Sequence, residues 1–156
     1  MGEVMGVRSD ALQGRRAVVV TGASAGGERA TAFAVARRGW NVALLARGLP
    51  GLEGVLRDVD AAGGRAMIIP RDVADMERVF AAADRVAAEC GAIDLWVNNA
   101  MLNVFGPNDL IPPAEFRRAT EVANLGTCTA CRPRCAICAR ATRGRSCRSA
   151  PRSPTA

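Results

Sequence analysis

The sequence contains no histidine, no tyrosine and no lysine, so all 21 of its basic side chains are arginines. These three residue types are among those most often used to move protons in enzymes near neutral pH. Their joint absence excludes from this chain any catalytic site that needs one of them. Aromatic residues are also scarce, with two tryptophans and four phenylalanines, and none lies among the seven arginines of 127–156, which argues against a nucleic-acid surface built on base stacking there.

Long apolar runs are missing as well. No stretch approaches the roughly 18 consecutive apolar residues that a membrane-spanning helix needs. The N-terminus lacks the basic segment and apolar run of a secretory signal. Apolar residues nevertheless make up 49% of the 156 residues, enough for one packed domain. We therefore expect a cytoplasmic protein that does not contact a membrane.

Charge and cysteine divide the sequence near Gly126. Up to that residue 14 arginines accompany 15 acidic residues, whereas the remainder carries seven arginines, no acidic residue and five of the six cysteines. This division predicts one folded domain at 15–126 and a tail at 127–156 without stable structure. The polar segment 1–14 predicts a frayed leader before that domain.

Apolar, β-branched runs alternate with helical patterns along the central part of the chain. The predicted strands are 16–21, 41–46, 65–70 and 93–97, and the predicted helices are 28–38, 51–62, 75–90 and 112–125. Strands separated by helices of this length form βαβ units on a parallel sheet. The predicted fold class is α/β, a doubly wound parallel sheet truncated to about four strands.

A glycine-rich segment, TGASAGGERA at 21–30, lies directly between the first predicted strand and the first predicted helix. Glycine lets a backbone turn sharply and approach a pyrophosphate, and the following helix offers unpaired N–H groups and the positive end of its dipole. An ordinary glycine-rich turn is the alternative. The position between strand and helix favours a nucleotide-binding loop.

Three motifs in sequence resemble the short-chain dehydrogenases/reductases: TGASAG after VVV, RDV at 71–73, and WVNNA at 96–100. The resemblance covers about 15–126. It implies a Rossmann-type domain, in which these four strands take the order 3-2-1-4. It also implies hydride transfer between a nicotinamide dinucleotide and a small alcohol or carbonyl compound.

The glycine pattern departs from that family at one position. Gly22 and Gly26 match the first two glycines of the pattern Thr-Gly-x-x-x-Gly-x-Gly, but the third falls on Glu28. A carboxylate there would repel a pyrophosphate, and Gly27 beside it would restore part of the backbone approach. This departure bears on cofactor affinity more than on the fold.

The resemblance assigns further residues to the cofactor. Asp72 would accept a hydrogen bond from the adenine amino group, although an aspartate capping the following turn is the alternative. Asn98 would pin neighbouring strands, and Asn99 and Ala100 would line the cleft. The full set of predicted cofactor-binding residues is Gly22, Ser24, Ala25, Gly26, Gly27, Arg47, Asp72, Val73, Asn99 and Ala100.

Cofactor preference is predicted from the end of the second strand. Members that prefer NAD carry an acidic residue there for the ribose 2′-hydroxyl. This chain has Ala46 followed by Arg47, and a guanidinium can pair with a 2′-phosphate. We therefore expect NADP to be preferred over NAD; a solvated arginine at the start of a loop is the alternative.

The catalytic machinery is incomplete in this sequence. Asn124 resembles the family's catalytic-site asparagine, with a surface asparagine as the alternative. The serine, tyrosine and lysine of the family site have no counterpart, because the chain lacks tyrosine and lysine altogether. We predict a chain without turnover and with impaired oligomerisation. Two alternatives remain: a residual dinucleotide-binding module, and an arginine-rich fragment that binds nucleic acid without sequence specificity.

The cysteines of the tail form the pattern Cys128-x-x-Cys131-x-x-x-Cys135-x-x-Cys138. Paired cysteines can bind zinc or an iron–sulfur cluster. The pairs stand too close together for a usual zinc knuckle, and few apolar residues are available to enclose a metal. We predict no metal site.

A slip of the reading frame near Gly126 is our preferred explanation of the tail. Restoring one base allows a translation that contains GTIVQVGSALAYR, which resembles the family's fifth strand and its serine. Sequencing the coding DNA tests this hypothesis, and we expect the bases after Gly126 to encode that strand in another frame. An intact gene that encodes the present tail in frame would contradict it.

Overall fold

The computed structural model of the chain describes residues 14–24, 27–107 and 109–128, and for Glu28 it describes the backbone alone. Ala25 and Gly26 of the glycine-rich loop therefore lie outside the described residues. So do nearly all of the predicted leader and the tail beyond Cys128, and the interpretations of those segments stay predictions.

Four parallel strands form one sheet in the order β3-β2-β1-β4. The strands are β1 Ala17–Thr21, β2 Asn41–Ala46, β3 Arg65–Pro70 and β4 Ile93–Val97. All residues of β1 and β2 are buried, as expected for central parallel strands covered on both faces. The fold class and the strand order predicted from the sequence are confirmed.

Helices connect the strands. They are α1 Gly27–Ala36, α2 Leu49–Ala61, α3 Met76–Cys90 and α4 Pro113–Thr120. The start of α3 is fixed by Asp75, whose side chain accepts a hydrogen bond from the backbone N–H of Arg78 at 3.1 Å. A side-chain oxygen at this position satisfies one of the N–H groups that a helix leaves unpaired in its first turn.

The helices cover opposite faces of the sheet, and a separate apolar core fills the space on each side. On one face α1 and α2 pack on the strands, with the core residues Val18, Val20, Leu44, Leu52, Val55 and Val59. On the other face α3 packs on them, with the core residues Val19, Leu45, Ile69, Val79, Ala83 and Val86. Because all four strands are parallel, their carboxyl ends lie together at one end of the sheet.

The helix predicted at 112–125 changes character halfway. After α4, residues Glu121–Gly126 form a π-helical turn, in which each N–H group bonds one residue further back than in an α-helix. No residue of α4 is buried, and Phe116 and Leu125 remain largely exposed. Within the part of the chain that the structure describes, β4 is an edge strand.

A membrane-spanning helix must be both long and apolar. None of the described helices combines the necessary length with a sufficiently apolar sequence.

Two leucines of α2 test the assignment of the core. Leu52 is fully buried, whereas Leu49, one turn earlier, is 43% exposed. We expect Leu52→Ala to lower the free energy of unfolding by about 2–5 kcal/mol, because it removes apolar contacts and leaves a cavity. Leu49→Ala, the matched control, should change it by about 0.5 kcal/mol or less. Chemical denaturation measures both, and equal losses would show that the core is assigned wrongly.

Candidate cofactor-binding site

The candidate site lies at the carboxyl ends of the strands, where the strand order reverses. The chain leaves β1 towards α1 on one face of the sheet, and β4 pairs with the opposite side of β1. Loops that diverge from such a point leave a crevice between them, and ligands of open α/β sheets bind there.

The hydroxyl of Thr21, the last residue of β1, joins the two sides of this crevice. Its oxygen accepts hydrogen bonds from the backbone N–H groups of Asn99 at 3.1 Å and Ala100 at 3.2 Å. The same hydroxyl donates to the carbonyl of Val97 at 3.3 Å. Thr21 is buried, so these bonds satisfy backbone groups that would otherwise be unpaired at the end of β4. One side chain thereby fixes the start of the Asn-Asn-Ala segment against β1.

Gly22 follows directly and is required by its surroundings. Its φ of +77° lies in the left-handed region, which residues with a Cβ rarely adopt. A Cβ added there would also lie 2.9 Å from the Cα of Ala100. The loop after β1 and the segment after β4 are therefore in backbone contact.

The first turn of α2 packs against the loop after β1. A Cβ added to Gly51 would lie 2.8 Å from the Cβ of Ser24, so the missing side chain lets the first turn of α2 approach the glycine-rich loop. The N–H of Gly22 donates to the carbonyl of Leu45 at 2.7 Å. These contacts tie the loop to β2 as well as to β4.

A cleft of about 550 Å³ opens between the loop after β1, the ends of β2 and β3, and the segment after β4, a volume within the range of small-molecule sites. Its lining combines glycines, two arginines, one carboxylate and a few apolar side chains. The lining residues are Gly22, Ser24, Ala46, Arg47, Gly48, Arg71, Asp72, Val73, Ala100, Met101 and Val122.

The structure brings six of the ten predicted cofactor-binding residues together in this cleft: Gly22, Ser24, Arg47, Asp72, Val73 and Ala100. Gly27 is the first residue of α1 and does not line it. Asn99 is exposed and contributes its backbone N–H to Thr21. Asn98 accepts from the indole N–H of Trp96 at 3.0 Å. Asn124, the predicted catalytic residue, is exposed on the π-helical turn and is not among the residues that line the cleft.

The carboxylate of Asp72 already has two protein partners. Its Oδ1 accepts from the N–H of Ala74 at 3.0 Å, which is the turn-capping role weighed as the alternative for this residue. Its Oδ2 forms an ion pair with the guanidinium of Arg118 from α4. Arg118 also lies 3.7 Å from the carboxylate of Glu121. The negative charge at this end of the cleft is thus balanced by an arginine 46 residues away.

Five lining residues were not assigned to the site from the sequence: Ala46, Gly48, Arg71, Met101 and Val122. The first three adjoin predicted residues at strand ends, so their proximity could have been inferred from a parallel sheet. Val122 could not, since it reaches the cleft from the π-helical turn.

One perturbed titratable group lies outside the cleft. Burial raises the pKa of the Cys90 thiol to about 11, and the negative charge of Glu89 adds to this effect. At neutral pH the thiol therefore stays protonated, and its sulfur lies 3.9 Å from that of Met67 in the core. Since the thiolate is the nucleophile and the metal ligand, Cys90 is a packing residue. Among the described residues no cluster of metal-ligating side chains occurs.

Comparison with known proteins decides the family. The family model of the short chain dehydrogenases matches residues 16–145, which include every residue that lines the cleft. The chain belongs to the short-chain dehydrogenase family. Members of this family are oxidoreductases that bind a nicotinamide dinucleotide, so the cleft is the expected place of that cofactor.

Known relatives agree with this assignment. An uncharacterized oxidoreductase of Mycobacterium bovis is 38% identical in an alignment of 102 residues that covers 58% of this chain and 30% of that protein. An alcohol dehydrogenase from the archaeon Thermococcus sibiricus, solved with 5-hydroxy-NADP, is 30% identical with a TM-score of 0.74 and covers 80% of this chain and 54% of its own. NAD⁺-bound xylitol dehydrogenase is 28% identical with a TM-score of 0.74, covering 78% of this chain and 47% of its own.

The chain spans 30% to 54% of the length of these proteins. One of the two solved structures contains NAD⁺ and the other 5-hydroxy-NADP, so the likeness of fold does not decide between NAD and NADP.

Gly22 offers a sharp test of the contact between the two sides of the cleft. Gly22 and Gly39 have nearly the same φ, +77° and +78°, but a Cβ on Gly39 would meet nothing within 4 Å. Both alanine variants should lose roughly 1–2 kcal/mol of stability from the left-handed backbone. Gly22→Ala should lose about 1–3 kcal/mol more, because it must push Ala100 away.

Chemical denaturation of the two variants and the parent chain measures the difference. Equal losses at the two glycines would mean that the loop after β1 does not contact the segment after β4.

Proposed function

We propose that this chain binds NADP(H) in the cleft and forms the cofactor-binding part of an oxidoreductase that acts on an alcohol or carbonyl compound. One observation carries the choice of cofactor. Arg47 follows β2 directly and lines the cleft, at the place where a carboxylate would select NAD. Among the described residues no acidic side chain pairs with Arg47, so its guanidinium is available to a 2′-phosphate.

The residues present fit such a cofactor. Gly22 lines the cleft and carries no side chain, so its backbone is accessible to a diphosphate lying along the loop after β1. Asp72 and Val73 lie at the end of β3, where the adenine would be recognised, and Ala100 lies opposite them on the β4 side of the cleft. When bound, the nicotinamide ring supplies or accepts the hydride that is exchanged with the substrate carbon.

The predicted cofactor-binding residues contact different parts of the cofactor in this proposal. Gly22, Ser24 and Gly27, together with Ala25 and Gly26 outside the described residues, would hold the diphosphate. Arg47 would hold the 2′-phosphate. Asp72 would hold the adenine amino group with a lone pair that Ala74 and Arg118 leave available, because a carboxylate offers about four such sites.

Proton transfer is the step that this chain does not supply. It has no tyrosine and no lysine, and Asn124 is exposed on the π-helical turn. We therefore propose binding without turnover for this chain by itself, with 15–126 as its cofactor-binding unit. For the whole protein we propose a small alcohol or carbonyl substrate, and this part of the proposal is supported by the general reaction of the family alone.

Isothermal titration with NADPH and NADH tests the proposed cofactor. We expect both to bind and NADPH to bind more tightly, because only NADPH carries a 2′-phosphate for Arg47. Arg47→Met should weaken NADPH binding about tenfold, the equivalent of about 1.4 kcal/mol, and leave NADH binding unchanged.

Arg38→Met serves as the control. Arg38 is exposed in the turn between the end of α1 and the start of β2, whereas the cleft lies at the carboxyl ends of the strands. Its replacement should therefore leave both affinities unchanged. Equal affinity of the parent chain for the two cofactors would refute the preference for NADP. Oxidation of NADPH by any carbonyl compound in the presence of the chain would refute the absence of turnover.

A further inference from the structure

Two arginines lie side by side directly after the neighbouring strands β2 and β3. The last pair of the β2–β3 ladder is Ala46 with Pro70, and the N–H of Arg71 donates to the carbonyl of Ala46 at 2.9 Å, which extends the ladder by one bond. The next residue on each strand is an arginine, Arg47 and Arg71. Both line the same cleft, so two guanidinium groups lie at its β2–β3 end.

Their charges are not balanced by carboxylates of the described chain. Arg71 donates through its Nη1 to the carbonyl of Pro70 at 2.8 Å, and none of the described acidic residues forms an ion pair with Arg71 or Arg47. Asp72 is the acidic residue that lines the cleft, but its charge is paired with Arg118. The two guanidinium groups therefore keep a net positive charge at this end.

Like charges on neighbouring strands repel each other and lower stability. A doubly charged anion between them would remove that repulsion, and guanidinium groups bind phosphate oxygens through paired N–H donors. The placement of Arg71 beside Arg47 is therefore suited to binding the doubly charged group of a phosphate monoester. A single arginine would be enough to accommodate such a group but would leave part of its charge unbalanced.

We propose that Arg71 is a second phosphate-binding residue, which shares the ribose 2′-phosphate of NADP(H) with Arg47 and so helps to set cofactor preference. This inference rests on the proposed function. It adds that the two arginines act as one unit, which depends on the register of β2 against β3 and not on Arg47 alone. Arg118 supports the unit indirectly, since it keeps Asp72 from pairing with either arginine.

Two small probes isolate the phosphate. Adenosine 2′,5′-bisphosphate and adenosine 5′-monophosphate differ only in the 2′-phosphate, and both are titrated calorimetrically into the chain and its variants. We expect Arg71→Met to weaken binding of the bisphosphate about tenfold and to leave binding of the monophosphate unchanged. Arg71→Lys should fall between, because lysine keeps the charge without the paired donors.

The double variant Arg47→Met/Arg71→Met tests whether the two residues act together. Residues that share one ligand group give losses that do not add, so the double variant should lose less than the product of the two single losses. Thermal unfolding without ligand checks the fold: Arg71→Met should be at least as stable as the parent chain, because it removes a repulsion. Arg38→Met is again the control.

The outcomes separate the two proposals. Tighter binding of the bisphosphate that depends on Arg47 but not on Arg71 would overturn this inference and leave the proposed function standing. Equal binding of the two probes by the parent chain would overturn the proposed preference for NADP(H), and this inference with it. A loss at Arg71 that is equal for both probes would make Arg71 a general determinant of the fold and would also overturn the inference.

Discussion

The hydroxyl of Thr21 is the contact on which the candidate site depends. It binds two backbone N–H groups after β4 and one carbonyl within β4, and it lies at the point where the strand order reverses. Gly22 next to it contacts Ala100 so closely that no Cβ would fit. The loop after β1 is also bonded to β2 through the N–H of Gly22, but these contacts of Thr21 and Gly22 are the ones that hold it against the segment after β4. These contacts fix the relative positions of two segments that line the cleft.

The charged side chains at the ends of β2 and β3 determine which ligands the cleft favours. The arginines at the ends of β2 and β3 lie at one end of the cleft, and Asp72 lies beside them with its charge taken up by Arg118. An anionic ligand would thus meet net positive charge at the β2–β3 end and backbone groups at the β1 loop. This distribution follows from the strand register together with one contact between α4 and the end of β3.

The sheet could be predicted closely because its signals are local. The strands β2, β3 and β4 begin and end where the apolar runs 41–46, 65–70 and 93–97 begin and end, since buried parallel strands need apolar residues on both faces. The order of the strands came from the resemblance to a family and was confirmed by the fold. The glycine-rich loop was located from its position between a strand and a helix.

The rest depends on contacts between distant residues, which no local pattern reveals. The pair of Asp72 and Arg118 joins residues 46 positions apart. The π-helical turn at Glu121–Gly126 interrupts a segment whose sequence predicts one continuous helix, and it turns Val122 towards the cleft and leaves Asn124 exposed. The role of Arg71 likewise becomes visible only when β2 and β3 are aligned in register.

The most direct test is a crystal structure of the chain grown with saturating NADPH. The account predicts the diphosphate along the loop that follows Thr21 and the 2′-phosphate between the guanidinium groups of Arg47 and Arg71. A cofactor bound elsewhere on the chain, or a cleft without cofactor at millimolar NADPH, would contradict it.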